Sequence, residues 1–262
     1  MILLVYHIFT LKLVILSKFF NIAPKFKIMA KIVSISNQKG GVGKSLITTM
    51  AATALGSEPF NLKVAVIDLD QQATIYKLRQ IDKQAYSQDA PEPFTVYRFK
   101  LSEFQKNIGE IDKAFDVVFI DTAGKLDNET DVLQQEISRA LMFTDVLFIP
   151  FVAGFGNLTA TYDYLKFVAQ IQDTRQLQQR KLKYYGFINQ YRARSRANDF
   201  LMQDIEAIQQ TEPFEVMTSK LHDFAMYKDA DTITTLYNPL SNDGAKANFS
   251  AWLNEFITLI KK

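Results

Sequence analysis

The chain has 262 residues, 48% hydrophobic and 22% charged, a globular composition with enough length for one large domain and a substantial core. Thirty Lys and Arg against 28 Asp and Glu leave a net charge of +2, so any contact with DNA or membrane has to come from a local patch. There is no cysteine, and the only histidines are His7 and His222; this excludes disulfides, thiolate nucleophiles, iron–sulfur clusters, Cys-based zinc sites and a histidine-rich metal centre.

Residues 1–28 differ from the rest. Met1–Phe20, MILLVYHIFTLKLVILSKFF, is long enough to cross a bilayer, but a lysine near the centre, Lys12, costs about 2.5–3.5 kcal/mol on insertion scales. As a secretory signal it lacks a basic start and a small-residue cleavage site. The reading adopted is that the functional protein begins at Met29 and that residues 1–28 are a hydrophobic extension outside it. A membrane anchor and an ordinary N-terminal element are the competing readings. Residues 29–262 show no repeat, low-complexity linker or composition shift and are taken as one domain.

Lys31–Ser36 is a short β-branched apolar run, the pattern of a buried parallel strand. It leads into Asn37-Gln38-Lys39-Gly40-Gly41-Val42-Gly43-Lys44-Ser45 and then a helical stretch over 46–55. Strand, glycine loop, Lys-Ser and helix make the context of a phosphate-binding loop. Glycines let backbone N–H groups turn toward phosphate oxygens, and a helix N-terminus adds partial positive charge. Lys44 is placed to reach the β- and γ-phosphates of a nucleotide, and the Ser45 hydroxyl to coordinate Mg²⁺.

Two further strands end in acids: Lys63–Asp68, continuing through Leu69 to Asp70, and Phe115–Asp121, continuing to Thr122. In an open α/β sheet the carboxyl ends of parallel strands line the ligand crevice, so the three strand ends converge on one place. Mg²⁺ takes oxygen ligands, often carboxylates acting through waters. Downstream, helical patterns over 130–142, 158–171 and 197–208 alternate with strands over 145–150 and 183–189, the former stopped by Pro150. Ser87–Pro93 reads as a surface loop. The fold class expected is α/β, a doubly wound, mostly parallel sheet with helices on both faces.

The loop K-G-G-V-G-K-S, with Lys39 at its start and Gln38 where the usual pattern has Gly, resembles the deviant phosphate loop of the ParA/MinD family of P-loop ATPases. Asp68-Leu69-Asp70-Gln71-Gln72-Ala73-Thr74 is similar to the D-x-D-P-Q-x-N/T run of the ParA type, with Gln71 for the usual Pro. Asp121-Thr122 matches the second acidic strand end, while Ala123-Gly124-Lys125 replaces a double proline. With no room for a helix-turn-helix before the first strand, the chain looks like the short partitioning ATPases. The resemblance implies ATP and Mg²⁺ as cofactors and a nucleotide contact set of Lys39, Gly40, Gly41, Val42, Gly43, Lys44 and Ser45. It implies a metal set of Ser45, Asp68 and Asp121, with Lys39, Lys44 and Asp70 catalytic. Lys39 reaches the partner's nucleotide in an ATP-bound homodimer, and Asp70 positions the attacking water. Asn189, at a strand end, falls where relatives contact adenine; plain turn formation is the competing reading there.

Between Thr174 and Asn198 there is no acid, whereas Arg175, Arg180, Lys181, Lys183, Arg192, Arg194 and Arg196 all fall there. Such a patch binds phosphates without reading bases. By resemblance, Arg192, Arg194 and Arg196, with Lys220 and Lys228, are the DNA-binding set. The implied function is ATP-gated, non-specific binding of duplex DNA by a nucleoid-associated cytoplasmic ATPase. It would segregate plasmid, mobile-element or chromosomal DNA through a ParB-like adaptor. The alternative is a MinD-like membrane-associated or protein-positioning ATPase. Its sequence support is the C-terminal amphipathic stripe Phe249, Trp252, Leu253, Phe256 and Ile260, which more commonly packs onto the domain.

Overall fold

The computed structural model describes residues 29–262 apart from Gln88, residues 125–129, Gln179 and Pro213; the expectations for residues 1–28 and for Lys125 lie outside the described residues. Seven parallel strands form one sheet: β1 (Lys31–Ile35), β2 (Val64–Asp68), β3 (Thr95–Arg98), β4 (Val117–Asp121), β5 (Val146–Phe151), β6 (Lys183–Ile188) and β7 (Glu215–Val216), in spatial order β3-β2-β4-β1-β5-β6-β7. The helices are α1 (Lys44–Gly56), α2 (Thr74–Ala85), α3 (Leu101–Ala114), α4 (Thr130–Leu141), α5 (Phe155–Leu177), α6 (Arg196–Thr211), α7 (Ala225–Lys228) and α8 (Gly244–Lys261). The α/β, doubly wound fold class expected from sequence is the one observed.

Burial on both faces follows from the period-2 alternation of strand side chains. Val33, Ile35, Val66, Phe119 and Phe148 pack one face against α1 and α8, through Ile47, Met50, Trp252 and Phe256. On the other face Ile67, Val118 and Ile120 meet Phe104 and Ile108 of α3, while Leu147, Ile149 and Phe151 meet Leu165 and Val168 of α5 and Leu201 and Ile205 of α6. The C-terminal stripe is thus core: Phe249, Trp252, Leu253, Phe256 and Ile260 are all fully buried. No helix among the described residues is long and apolar enough to cross a membrane.

Three details correct the sequence expectations. Pro150 does not stop its strand; β5 runs on to Phe151. Phe148 accepts a hydrogen bond from the Ser36 N–H on the β1 side, so Pro150 faces the same side two residues on, where β1 has ended. No ladder donor is lost there, and the Pro150 carbonyl is taken by the Asn37 side chain at 3.0 Å. Helix α5 extends six residues beyond Ile171, to Leu177. Between Asp70 and Phe115 the chain also forms α2, β3 and α3, which the sequence pattern left unassigned. Strand β3 is a half-exposed edge, and so carries no apolar run.

The topology positions the site. From β1 the chain moves to one side through β2 and β3, returns to β4, and crosses to β5, β6 and β7 on the other side. Because β4 sits between β1 and β2, with Asp68 in register with Asp121, all three acid- or glycine-bearing strand ends open into one crevice.

Candidate nucleotide site

The phosphate loop occupies the turn between β1 and α1. Gly41 and Gly43 have φ of 75° and 89°, a conformation that L side chains rarely adopt. Asn37, fully buried, ties the loop down: its Nδ2 donates to the Pro150 carbonyl and, at 2.8 Å, to Thr161 Oγ1 of α5, and its Oδ1 accepts from the Lys39 N–H at 3.0 Å. A Cβ at position 43 would stand 2.7 Å from Asn189 Nδ2, which itself donates to the Val42 carbonyl at 2.8 Å. Gly43→Ala is therefore expected to strain the loop twice, in φ and in contact. Nucleotide affinity should fall at least tenfold in titration with a fluorescent ATP analogue, and wild-type affinity would contradict this reading of the loop.

A cleft of about 330 Å³ lies over this loop, lined by Gly40, Gly41, Gly43, Lys44, Ser45, Asp70, Thr122 and Gly124 among others. Lys44 is only 7% exposed and donates through Nζ to the Lys39 carbonyl at 3.1 Å. Burial lowers its pKa, against the pull of Asp121 and Asp70. The Lys39 side chain is exposed. Ser45 Oγ donates to Asp121 Oδ2 at 2.7 Å. Asp121 is fully buried, and its Oδ1 has no hydrogen-bond partner among the described residues. Desolvation is the main cause that raises its pKa to about 7; the neighbouring charge of Asp68 adds to the rise, while the Ser45 hydrogen bond and Lys44 oppose it.

The two acids after β2 are placed differently. Asp68 is fully buried, and its oxygens accept from the N–H groups of Asp70 (3.2 Å) and Tyr76 (3.0 Å), so it closes the turn into α2 and caps that helix. Burial raises its pKa, the Tyr76 and Asp70 hydrogen bonds opposing. Asp70 lines the cleft itself, with Oδ1 accepting from the Gln72 N–H at 2.8 Å. Asn189 is buried against the phosphate loop, and Gln190 Nε2 donates to the Gly41 carbonyl at 3.2 Å.

Sequence reasoning missed Asn37, Gln190 and Gly124. A Cβ on Gly124 would stand 2.9 Å from Lys44 Nζ and 3.0 Å from Gly40 Cα, so the loop after β4 lies directly on the phosphate loop. For Asn37 a signal existed, since an amide ending a buried apolar run needs partners. For Gly124 none did.

The basic run does not form one surface. Arg175 is 3% exposed and donates to the Leu141 and Thr144 carbonyls, capping the C-terminal end of α4. Lys181 and Lys183 sit where β6 begins, away from the crevice. Arg192, Arg194 and Arg196 follow the end of β6, and Lys220 and Lys228 join them. The Lys220 ammonium lies 4.6 Å from the Tyr191 ring centre, and Tyr191 pairs with His222. Arg192 donates through Nε (2.8 Å) and Nη2 (2.6 Å) to Asp223 Oδ2, and Lys228 Nζ is 3.5 Å from Oδ1. Asp223, held below the usual carboxylate range by Arg192, was not foreseen as a member of this cluster.

The CbiA family, described as the CobQ/CobB/MinD/ParA nucleotide binding domain, matches residues 33–231. The chain belongs to this family. Its enzymatic class, an ATPase, follows from that membership together with the phosphate loop, Ser45 and the acidic strand ends. No curated protein sequence matches the chain. Among solved structures, a variant of Cyanothece McdA in complex with ATP is 18% identical with a TM-score of 0.60, over 87% of this chain and 96% of that one. A plasmid partition protein from Borrelia burgdorferi is 19% identical with a TM-score of 0.58, over 88% and 99%. The MinD cell division protein of Aquifex aeolicus is 14% identical with a TM-score of 0.58, over 87% and 97%. At these identities the structural likeness establishes the CbiA-family fold.

Proposed function

We propose that the protein is a ParA-type partitioning ATPase that binds duplex DNA non-specifically in its ATP-bound dimer and is released by hydrolysis. One observation carries the reading. The two residues that follow β6, Asn189 and Gln190, are hydrogen-bonded to the phosphate loop, and the chain continues directly from them into Tyr191 and the basic cluster. A change at the phosphate loop therefore bears on the segment that carries Arg192, Arg194 and Arg196. A ParB-like adaptor and nucleoid association follow from the ParA reading.

In this reading Lys44 and the loop N–H groups hold the β- and γ-phosphates, and the exposed Lys39 reaches a second subunit's nucleotide. Asp70 orients the attacking water from the cleft wall. The unpartnered Asp121 Oδ1 beside Ser45 Oγ fits a hard cation, so Ser45 and Asp121 would hold Mg²⁺, with Asp68 next to Asp121 acting through water. Bound Mg²⁺ supplies charge neutralisation at the transferred phosphoryl group. With its stripe buried, α8 offers no surface for a MinD-like lipid contact.

The test is binding to random-sequence duplex DNA with ATP and Mg²⁺ and with ADP, across a salt series. Binding is expected only with ATP, with log affinity falling by about 0.9 per log unit of salt for each neutralised phosphate. Replacing Arg192, Arg194 and Arg196 by Ala should flatten that slope by roughly 2 to 3 and leave basal ATP turnover unchanged. Absence of binding in both nucleotide states would remove the DNA half of the proposal and leave the ATPase.

A further inference from the structure

Two cavities meet where β4 ends. The cleft over the phosphate loop and a groove of about 550 Å³ beside it share three lining residues, Asp70, Thr122 and Ala123. Of these only Asp70 and Thr122 have polar side chains, so these two flank the passage between the cavities. Thr122 is 6% exposed, and its Oγ1 lies 3.1 Å from Oγ of Ser36, the buried residue that follows β1 on the neighbouring strand. Either oxygen can be the donor in that hydrogen bond. On α5, the Tyr164 hydroxyl is buried in the apolar cluster of Leu141, Leu147 and Val168 and has no hydrogen-bond partner among the described residues. The Ser36 hydroxyl is near enough to oppose the rise that burial imposes on the Tyr164 pKa.

The closed end of this row of hydroxyls sets its direction. A phenol has one proton to donate, and a buried hydroxyl that keeps its proton unshared is costly. Donation from Tyr164 to Ser36 Oγ removes that cost; Ser36 then donates to Thr122, and the Thr122 proton is left for an acceptor at the cleft wall. We propose that the Thr122 hydroxyl, aimed in this way by Ser36 and Tyr164, donates to the attacking water opposite Asp70. The proposal rests on the placement of that water by Asp70 given above, and not on the DNA reading. A water oxygen has two lone pairs. With one accepting from Thr122 and a water proton donated to the Asp70 carboxylate, the second lone pair is held toward the γ-phosphorus of ATP. The water oxygen bonds to that phosphorus as the bond to the β,γ-bridging oxygen breaks; ADP leaves with the electron pair, and the proton held by Asp70 passes to the released phosphate. Ser36 and Tyr164 act only through Thr122.

The experiment is steady-state ATP hydrolysis by the full chain, with affinity for a fluorescent ATP analogue and a thermal melt measured on each variant. Thr122→Val should lower kcat about thirtyfold and change analogue affinity by less than about threefold, whereas Thr122→Ser, which keeps the hydroxyl, should stay within about threefold of wild type. Ser36→Ala should lower kcat about fivefold by itself and add nothing in the Thr122→Val background. Tyr164→Phe removes an unpaired buried hydroxyl, so it should leave the melting temperature unchanged or raised and yet lower kcat about threefold. Turnover of Thr122→Val within about threefold of wild type, or losses from Ser36→Ala and Thr122→Val that multiply in the double variant, would overturn the proposal. Asp70→Ala separates the two readings. Normal turnover there means that the water is held elsewhere and both fail; slow turnover there with normal turnover in Thr122→Val removes only the role of Thr122.

Discussion

Replacing Lys44 with Ala is expected to lower ATP turnover about a thousandfold or more while leaving the fold intact. The ammonium is buried at the head of the phosphate loop and donates to the Lys39 carbonyl. In the proposed reading that arrangement keeps a desolvated cation next to the nucleotide phosphates, where a fixed charge acts far more strongly than in water. Among the described residues, nothing else lining the cleft supplies a cation from within the same subunit: the loop contributes N–H groups and the other charged wall is Asp70. In the nucleotide-free protein, truncation removes a charge whose burial is itself costly, so the melting temperature should move by only a few degrees. Turnover, binding of a fluorescent ATP analogue and a thermal melt separate the two effects. Turnover within tenfold of wild type would remove Lys44 from the chemistry.

The largest expected stability effect is at Trp252. Its ring lies 5.1 Å from Phe256, 5.4 Å from Phe187 and 6.2 Å from Phe249, centre to centre, with no exposure. Trp252→Ala should destabilise the domain by about 3–5 kcal/mol, a fall in melting temperature of roughly 10 °C. Trp252→Phe should cost about 1 kcal/mol, because the indole Nε1 has no partner among the described residues and its removal leaves no broken hydrogen bond. The pair of variants also decides between two roles for α8. A helix that leaves the domain to lie on lipid would tolerate Trp252→Ala with little change in melting temperature and lose vesicle binding instead. A core helix shows the reverse.

The parts of the site that were legible in the sequence are contiguous. Lys39 to Ser45 carry glycines, lysine and hydroxyl in one loop, and the strand before and helix after it announce themselves by period. Asp68, Asp70 and Asp121 could be read because each closes an apolar run. What escaped reading depends on partners far along the chain. Asn37 is held by Pro150 and Thr161, and Arg192 by Asp223. Arg175 looked like surface charge in a basic run, yet its guanidinium is buried among carbonyls at the end of α4. Strand β3, partly exposed on the sheet edge, has no hydrophobic signature to find.

The sequence by itself determined the fold class, the strand–glycine loop–helix unit and the convergence of three strand ends. These rest on local periodicity, turn chemistry and the rule that parallel strands present their carboxyl ends to one crevice. Only the tertiary structure decided how the charges divide. It gave Asp68 to the cap of α2, left Asp121 with an unpartnered buried oxygen, and split the basic run into a buried cap, a crevice-side cluster and the lysines where β6 begins. It also turned the C-terminal stripe into core. The physical reason is common to all four: a charge or an apolar face has no meaning until its neighbours are known, and those neighbours are set by the order of strands in the sheet.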